Sequence, residues 1–291
     1  MTFKKSSIPF VSQHSCLYGS PPITLKVINC GLPRTGTTSA GTALSIFLGG
    51  PVADGGRLAY MGSAGQQRLM LELVQNCLCR TLVDRTFALY CLARLTEGCI
   101  AVTDKPFCYF VEELLQLYPH AKVICTRRDQ ESWWEGYKNL RWRVDDYASV
   151  GWVSPTLYRF LAISYGFFWK RVPQAVGLPE DEIRLAIDNQ KVLYGAHDKY
   201  IRRIVPEGQL HFVNIRDGWK PRCDILQLPV PGVEFPHDSS RGEMSTLHRK
   251  TKRRLIIRGA LLISLGLGCC GWLLDYFRRA LGSRARKLLD Y

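Results

Sequence analysis

Residues 25–30, LKVINC, form a short apolar run that enters a glycine-containing turn, GLPRTGTTS at Gly31 to Ser39, and the helix-compatible SAGTALSIFL follows without a break. Strand, tight loop and helix in immediate succession are the opening of a βαβ unit, so this one feature commits the chain to a parallel sheet. It also predicts a ligand. Backbone N–H groups in such a loop and the positive end of the helix dipole converge on one point, which favours a phosphate or sulfate. Gly31 and Gly36 allow the tight path. Their spacing matches the loop of ATPases and GTPases, but a lysine follows the second glycine there and Thr37 follows it here. That departure argues against an ordinary nucleotide triphosphatase. The basic residue lies inside the loop, at Arg34, and Thr37 and Thr38 supply hydroxyls where the helix begins.

The remainder of the chain repeats the alternation. Cys99 to Thr103 reads as a strand leading into Asp104-Lys105-Pro106 and then into FCYFVEELLQLY, where Phe107, Phe110, Val111, Leu114, Leu115 and Tyr118 recur at helical spacing. AKVICT, residues 121–126, is a third strand, followed by a helix around Glu131 to Leu140, and LHFVNI, residues 210–215, is a late strand. Two mainly helical stretches, Arg68 to Leu95 and Pro155 to Val205, are expected to cap the sheet. Residues 219–238 are rich in proline and read as an extended wrap. The expected fold is α/β, three-layered, with a parallel central sheet, a helical cap and ligands bound beyond the C-terminal strand ends.

The net charge of +14 would suggest nucleic acid if it covered a folded surface. It does not: residues 241–291 hold 12 of the 39 Lys and Arg but only 3 of the 25 Asp and Glu, so the excess belongs mainly to the tail and no nucleic-acid partner is expected. Within that tail LIIRGALLISLGLGCCGWLL, residues 255–274, approaches the ~20 residues that cross a hydrocarbon core. Arg258 sits near enough to one end to snorkel, and Trp272 and Tyr276 suit the far interface. Basic clusters on both sides leave the orientation undecided, and an interfacial helix is the competing reading. The N-terminus has no continuous apolar core of secretory length, so no cleaved signal peptide is expected. Eleven cysteines without regular spacing, several in apolar runs, suit buried thiols in a reducing compartment better than a disulfide framework. Cys77 and Cys79 lack metal-ligand spacing, and no metal site is expected. The organisation expected is an N-terminal extension (1–24), a catalytic domain (25–238), a basic linker (239–254), a transmembrane helix (255–274) and a basic tail (275–291). Insertion after synthesis would leave the body cytosolic.

PRTGTT, Pro33 to Thr38, resembles the 5′-phosphosulfate loop of P-loop sulfotransferases, often PKSGTT, with Arg34 in place of the lysine. The stretches TDKPFCYFVEELLQLYPHAKVICTRRDQESWW and LHFVNIRDGWKPRCDILQLPVPGVEFP resemble the middle and C-terminal parts of a branch of that family common in fungi. The resemblance covers most of residues 25–238. It implies transfer of a sulfuryl group from 3′-phosphoadenosine-5′-phosphosulfate to the hydroxyl of a small acceptor, and the membrane tail favours a lipophilic one. By the same resemblance Gly31, Pro33, Arg34, Thr35, Gly36, Thr37 and Thr38 bind the co-substrate, Arg34 also stabilises the transition state, and Asp104 of an Asp-x-Pro motif is the base. Capping, or pairing with Lys105, is the alternative for Asp104. An arginine after the AKVICT strand and a serine eight positions later hold the 3′-phosphate in that family. Arg128, just before Asp129, is the arginine expected, since a guanidinium grips phosphate with two parallel bonds. A salt bridge to Asp129 or Glu131 is its alternative.

The chain also departs from the pattern. Gly136 stands eight positions after Arg128, and Ser132 is the substitute expected for the missing hydroxyl. Tyr60-Met61 stands where relatives carry His-Met, leaving Tyr60 to touch the acceptor. His197 reads as a packed helical histidine, and Trp133, Trp134 and the aromatic stretch Tyr158 to Trp169 as core or pocket lining. A non-catalytic, membrane-anchored binding protein and, further off, a nucleotide kinase are the competing functions.

Overall fold

The computed structural model describes residues 24–76, 82–138, 147, 149–162, 191–236 and 240–289. The N-terminal extension up to residue 23, Cys77, Cys79, Leu140 and the aromatic run beyond Ala162 lie outside them.

Five strands form one parallel sheet in the order β2-β3-β1-β4-β5. They are β1 (Val27–Asn29), β2 (Val52–Asp54), β3 (Ala101–Thr103), β4 (Lys122–Arg127) and β5 (Leu210–Asn214). β1 is central, pairing Asn29 with Thr103 of β3 on one side and with Ile124 of β4 on the other. The chain leaves β1 for the β2 edge, returns through β3, and crosses to β4 and β5. This reversal opens the crevice in which ligands of parallel sheets bind. Four of the strands fall where the sequence places them; β2 was not anticipated.

The strands are apolar on both faces, as a sheet covered on both sides requires. On one face Val27, Ala101, Ile124 and Val213 pack with Leu44 of α1 (Thr37–Leu48) and against Ile225 and Leu226 of α9 (Lys220–Leu226). The other face carries the larger core. There Ile28, Val102, Val123 and Cys125 meet α2 (Gly55–Met61), α3 (Ala64–Asn76), α4 (Leu82–Thr96), α5 (Val111–Leu117), α6 (Gln130–Lys138), α7 (Pro155–Ala162) and α8 (Val192–Ile204). Short 3-10 turns at Phe107–Tyr109 and Ile215–Asp217 follow β3 and β5.

Two parts of the C-terminal region differ from the reading of the sequence. Within the expected extended wrap, α9 forms with a proline in its first turn, a position where the missing N–H breaks no helical bond. The stretch expected as a linker is helical from Ser240, part of one helix, α10 (Ser240–Leu289). Its early turns are seated on the body: His248 and Leu255 are buried, and the Tyr147 hydroxyl donates to the His248 carbonyl at 3.1 Å. A Cβ on Gly259 would stand 3.1 Å from the Trp152 and Val153 side chains, so glycine lets the helix lie close there. Beyond it Leu261, Leu262, Ile263, Leu265 and Leu267 are exposed. The segment Ser245–Leu273 contains an 18-residue window with mean hydropathy 1.8 and is long and apolar enough to cross a membrane.

Candidate active site

The loop between β1 and α1 emerges at the C-terminal edge of the central strand, and its shape is fixed from below. Thr35 closes a turn through its N–H to the Leu32 carbonyl at 3.1 Å, and its hydroxyl reaches the same carbonyl at 2.7 Å and Thr126 at 2.9 Å. Gly31 is required by this packing: a Cβ there would fall 1.8 Å from the Thr126 Oγ1 and 2.8 Å from its carbonyl oxygen. Two residues carry positive φ, Arg34 at 76° and Gly36 at 99°, and at Gly36 the conformation is one that L side chains rarely adopt. Gly36 is also the N-cap of α1, with no side chain capping the helix. The first-turn N–H groups at Thr37 and Thr38 have no intrahelical acceptor, so they face outward from the loop as donors.

Below the first turn of α1 the strand ends interlock. The Asn29 amide donates to Thr103 at 2.9 Å, and the Thr103 hydroxyl donates to the Thr37 carbonyl at 3.2 Å. Asp104 follows β3 with φ of 67° and its carboxylate accepts the Lys105 N–H at 2.8 Å. Burial raises the Asp104 pKa, opposed by the Lys105 N–H and charge, by Arg34, and by the Thr37 hydroxyl, which bonds to the carboxylate. Asp104 and Thr37 are therefore in direct contact. Lys105 is buried beside them.

Asp54, which the sequence reading did not single out, lies at the end of the neighbouring strand β2. One carboxylate oxygen accepts the Arg57 N–H at 3.0 Å, capping α2. The other is buried without a hydrogen-bond partner. Burial, and then the Asp104 charge, push its pKa up to about 7.

α6 closes the opposite wall. Trp133, fully buried, donates its indole N–H to the Pro33 carbonyl at 2.9 Å and straps the helix to the loop. Arg128 Nη1 donates to the Arg34 carbonyl at 3.4 Å. The Tyr194 hydroxyl of α8 fixes the Arg128 backbone, accepting its N–H at 3.1 Å and donating to its carbonyl at 2.5 Å. Arg127 points elsewhere, bonded to Asp198 at 2.5 Å and stacked on Phe212. Ser132 is committed to Asp129: its N–H donates to that carboxylate at 2.9 Å, and its hydroxyl bonds there too.

The remaining candidates sit apart from the loop. Tyr60 is buried against Tyr147 and His248, with ring centroids 6.3 and 6.4 Å away. His197 is buried, bonded to the Cys108 carbonyl at 3.1 Å, and held neutral by burial with a pKa near 4. Among the described residues no group of three or more His, Cys, Asp or Glu could hold a metal ion. Tyr194, Asp54 and the Trp133 strap are the features that sequence reasoning missed or left open. The Tyr194 contact spans 66 residues and has no local signature.

Residues 26–244 match the family described as Sulfotransferase domain. Over 198 residues the chain is 34% identical to the "Ava biosynthesis cluster protein M" of Aspergillus versicolor, an alignment covering 64% of this chain and 73% of that protein. A match across most of the sheet and both walls of the site, with a relative at this identity, establishes the assignment: the chain belongs to the sulfotransferase domain family, and its general activity is that of a transferase of sulfuryl groups.

Proposed function

We propose that the chain transfers a sulfuryl group from 3′-phosphoadenosine-5′-phosphosulfate to the hydroxyl of a small, lipophilic acceptor. The observation that carries this reading is the uncapped N-terminus of α1, entered through Gly36 and flanked by Arg34 and Arg128. Outward N–H donors with two guanidinium groups beside them match a ligand bearing phosphates. When bound, the co-substrate supplies the sulfuryl group, whose bond to the 5′-phosphate breaks as a bond to the acceptor oxygen forms. In this reading Asp104 takes the hydroxyl proton, helped by the burial that raises its pKa. Arg34 and the amides of Gly36, Thr37 and Thr38 balance the charge left on the 5′-phosphate. Gly31, Pro33 and Thr35 hold the loop in shape, and Arg128 grips the nucleotide, with Ser132 in its neighbourhood.

The exposed apolar run of α10 supports a lipophilic acceptor and a membrane location, single-pass and tail-anchored. The cysteines among the described residues are free, consistent with a cytosolic body.

Calorimetric titration of the detergent-solubilised full chain with adenosine 3′,5′-bisphosphate tests the nucleotide, and transfer of labelled sulfate to phenols and alcohols tests the reaction. Binding that Arg34→Ala weakens at least tenfold, with turnover of at least one lipophilic alcohol or phenol, is expected. A folded protein that binds no bisphosphate refutes the reading. Binding without turnover across the panel would leave a non-catalytic binding protein.

A further inference from the structure

Asp54 and Asp104 lie at the ends of adjacent strands, under one helix. β2 and β3 pair with Asp54 level with Thr103, so Asp54 stands one residue behind Asp104. Past the strands the two backbones stay in contact: a Cβ on Gly55 would fall 1.8 Å from the Lys105 carbonyl oxygen, leaving no room for a side chain. Above them runs α1. The Asp104 carboxylate bonds to the Thr37 hydroxyl, and the unpartnered oxygen of Asp54 lies 3.4 Å from the point that a Cβ on Gly41 would occupy. Thr37 and Gly41 are four residues apart on the same side of α1, so about one helical turn, ~6 Å, separates the two contacts.

Capping α2 does not account for this arrangement. The cap uses one oxygen of Asp54, and asparagine or serine caps a helix as well. The second oxygen is buried without a partner, which costs stability. Few other groups around the pair can carry charge. α1 has no charged residue. Arg57 of α2 donates to Thr42 at 3.0 Å, Lys105 and Arg34 face Asp104, and Cys108 and Tyr109 beyond it are held neutral, their pKa values raised by burial. Burial first, and the Asp104 charge second, push Asp54 up to about 7, against the N–H groups of Arg57 and Gly56 and the Arg57 charge. Asp54 thus changes charge in the neutral range.

We infer that Asp54 is a positioning residue for the proposed base, a second carboxyl whose negative charge, set about one turn away along α1, makes Asp104 the stronger acceptor of the hydroxyl proton. The inference rests on the sulfuryl-transfer reading above and deepens it by giving the base a partner. In that reaction the acceptor oxygen bonds to sulfur, the bond from sulfur to the 5′-phosphate breaks, and the hydroxyl proton goes to Asp104. Asp54, buried beneath α1, acts through Asp104 alone. At an effective dielectric constant of ~20, a unit charge at ~6 Å alters a neighbour's proton affinity by about a hundredfold. With about half of that effect expressed in the transition state, the rate changes about tenfold.

The test measures kcat and KM of the solubilised full chain between pH 6 and pH 8.5, with labelled co-substrate and 1-octanol, whose hydroxyl does not ionise in that range. Asparagine imitates the protonated Asp54 present at low pH and cannot imitate the ionised one. The ratio of wild-type kcat to that of Asp54→Asn should therefore grow from about one at pH 6 to about ten at pH 8.5, with KM unchanged within about twofold. Asp54→Ala, which also removes the cap, should show the same growth on top of a loss common to every pH. A ratio that is constant across the range, whatever its size, refutes the inference and leaves Asp54 a helix cap. Should neither variant fold, the wild-type profile decides, because a kcat that stays flat from pH 6.5 to pH 8 refutes it as well. If the wild-type chain transfers no sulfuryl group to 1-octanol or phenol, the reaction reading falls and the inference falls with it.

Discussion

Replacing Asp54 by asparagine should remove a pH-dependent part of the protein's stability. The wild-type carboxyl is 3% exposed, one oxygen caps α2 through the Arg57 N–H, and the other has no hydrogen-bond partner. The charges facing it are Arg57 on its own helix, Asp104 and Lys105 after β3, and Arg34 across from Asp104. Burial and the Asp104 charge raise its pKa from 3.8 to about 7. The folded state therefore holds this proton more tightly than the unfolded chain does. Its stabilising effect is complete below the unfolded pKa and is lost as pH rises through about 7. A shift of about three units corresponds to about 4 kcal/mol, at ~1.4 kcal/mol per unit. Asparagine keeps an oxygen for the cap and cannot ionise. It leaves its amide N–H groups beside the buried, unpartnered position, a cost of about 1–3 kcal/mol at every pH. Urea unfolding of both proteins between pH 4 and pH 8 reads the difference directly. The variant should be the less stable at pH 4 and should gain on the wild type by about 4 kcal/mol by pH 8. A difference that stays flat within about 1 kcal/mol would refute the assignment of a high pKa to Asp54, and with it the picture of two interacting carboxyls at the ends of β2 and β3.

Other outcomes follow from single contacts. Gly31→Ala should cost at least about 3 kcal/mol, because its Cβ would overlap Thr126 at 1.8 Å; thermal melts check this, with Gly195→Ala as the control, where nothing lies within 4 Å of the added carbon and about 0.5–1 kcal/mol of added stability is expected. Tyr194→Phe removes the hydroxyl that both accepts from and donates to the Arg128 backbone; two lost bonds at ~1 kcal/mol each should raise the Kd for adenosine 3′,5′-bisphosphate about tenfold or more in calorimetry. Truncation before Leu261 should remove membrane association in flotation assays while leaving the packed turns around His248 and Leu255 in place.

The parts of the fold that were legible in the sequence are those whose signals are dense. β1, the glycine loop and α1 adjoin without interruption, and Cys30 to Thr38 contain every residue the turn needs. β4 carries six consecutive residues with a buried middle, which suffices for recognition. β2 has only Val52, Ala53 and Asp54 between Pro51 and two glycines. No alternation shows in three residues, and the strand exists because β3 supplies a partner. Asp54 was hidden with it. The proline at 221 reads as a break when taken alone, yet at a first helical turn it favours α9. Around the loop, Pro33 meets Trp133 and Arg128 meets Tyr194 across 100 and 66 residues. Side-chain contacts at such separations leave no trace in spacing. Gly136 shows this most clearly, because its identity reads as a lost hydroxyl and its surroundings show two arginines.

The manner in which α10 leaves the body bears on how the protein would meet a lipid surface. His248 and Leu255 are pressed into the fold, Gly259 leaves no room for a side chain beside Trp152 and Val153, and the apolar turns follow with no break in the helix. The connection is a stiff stalk, without the slack of a tether. A body hung on a flexible linker would sample every tilt, whereas one clamped to its own anchor presents a constant side to the bilayer. Trp152, more than half exposed at the foot of the stalk, marks that side.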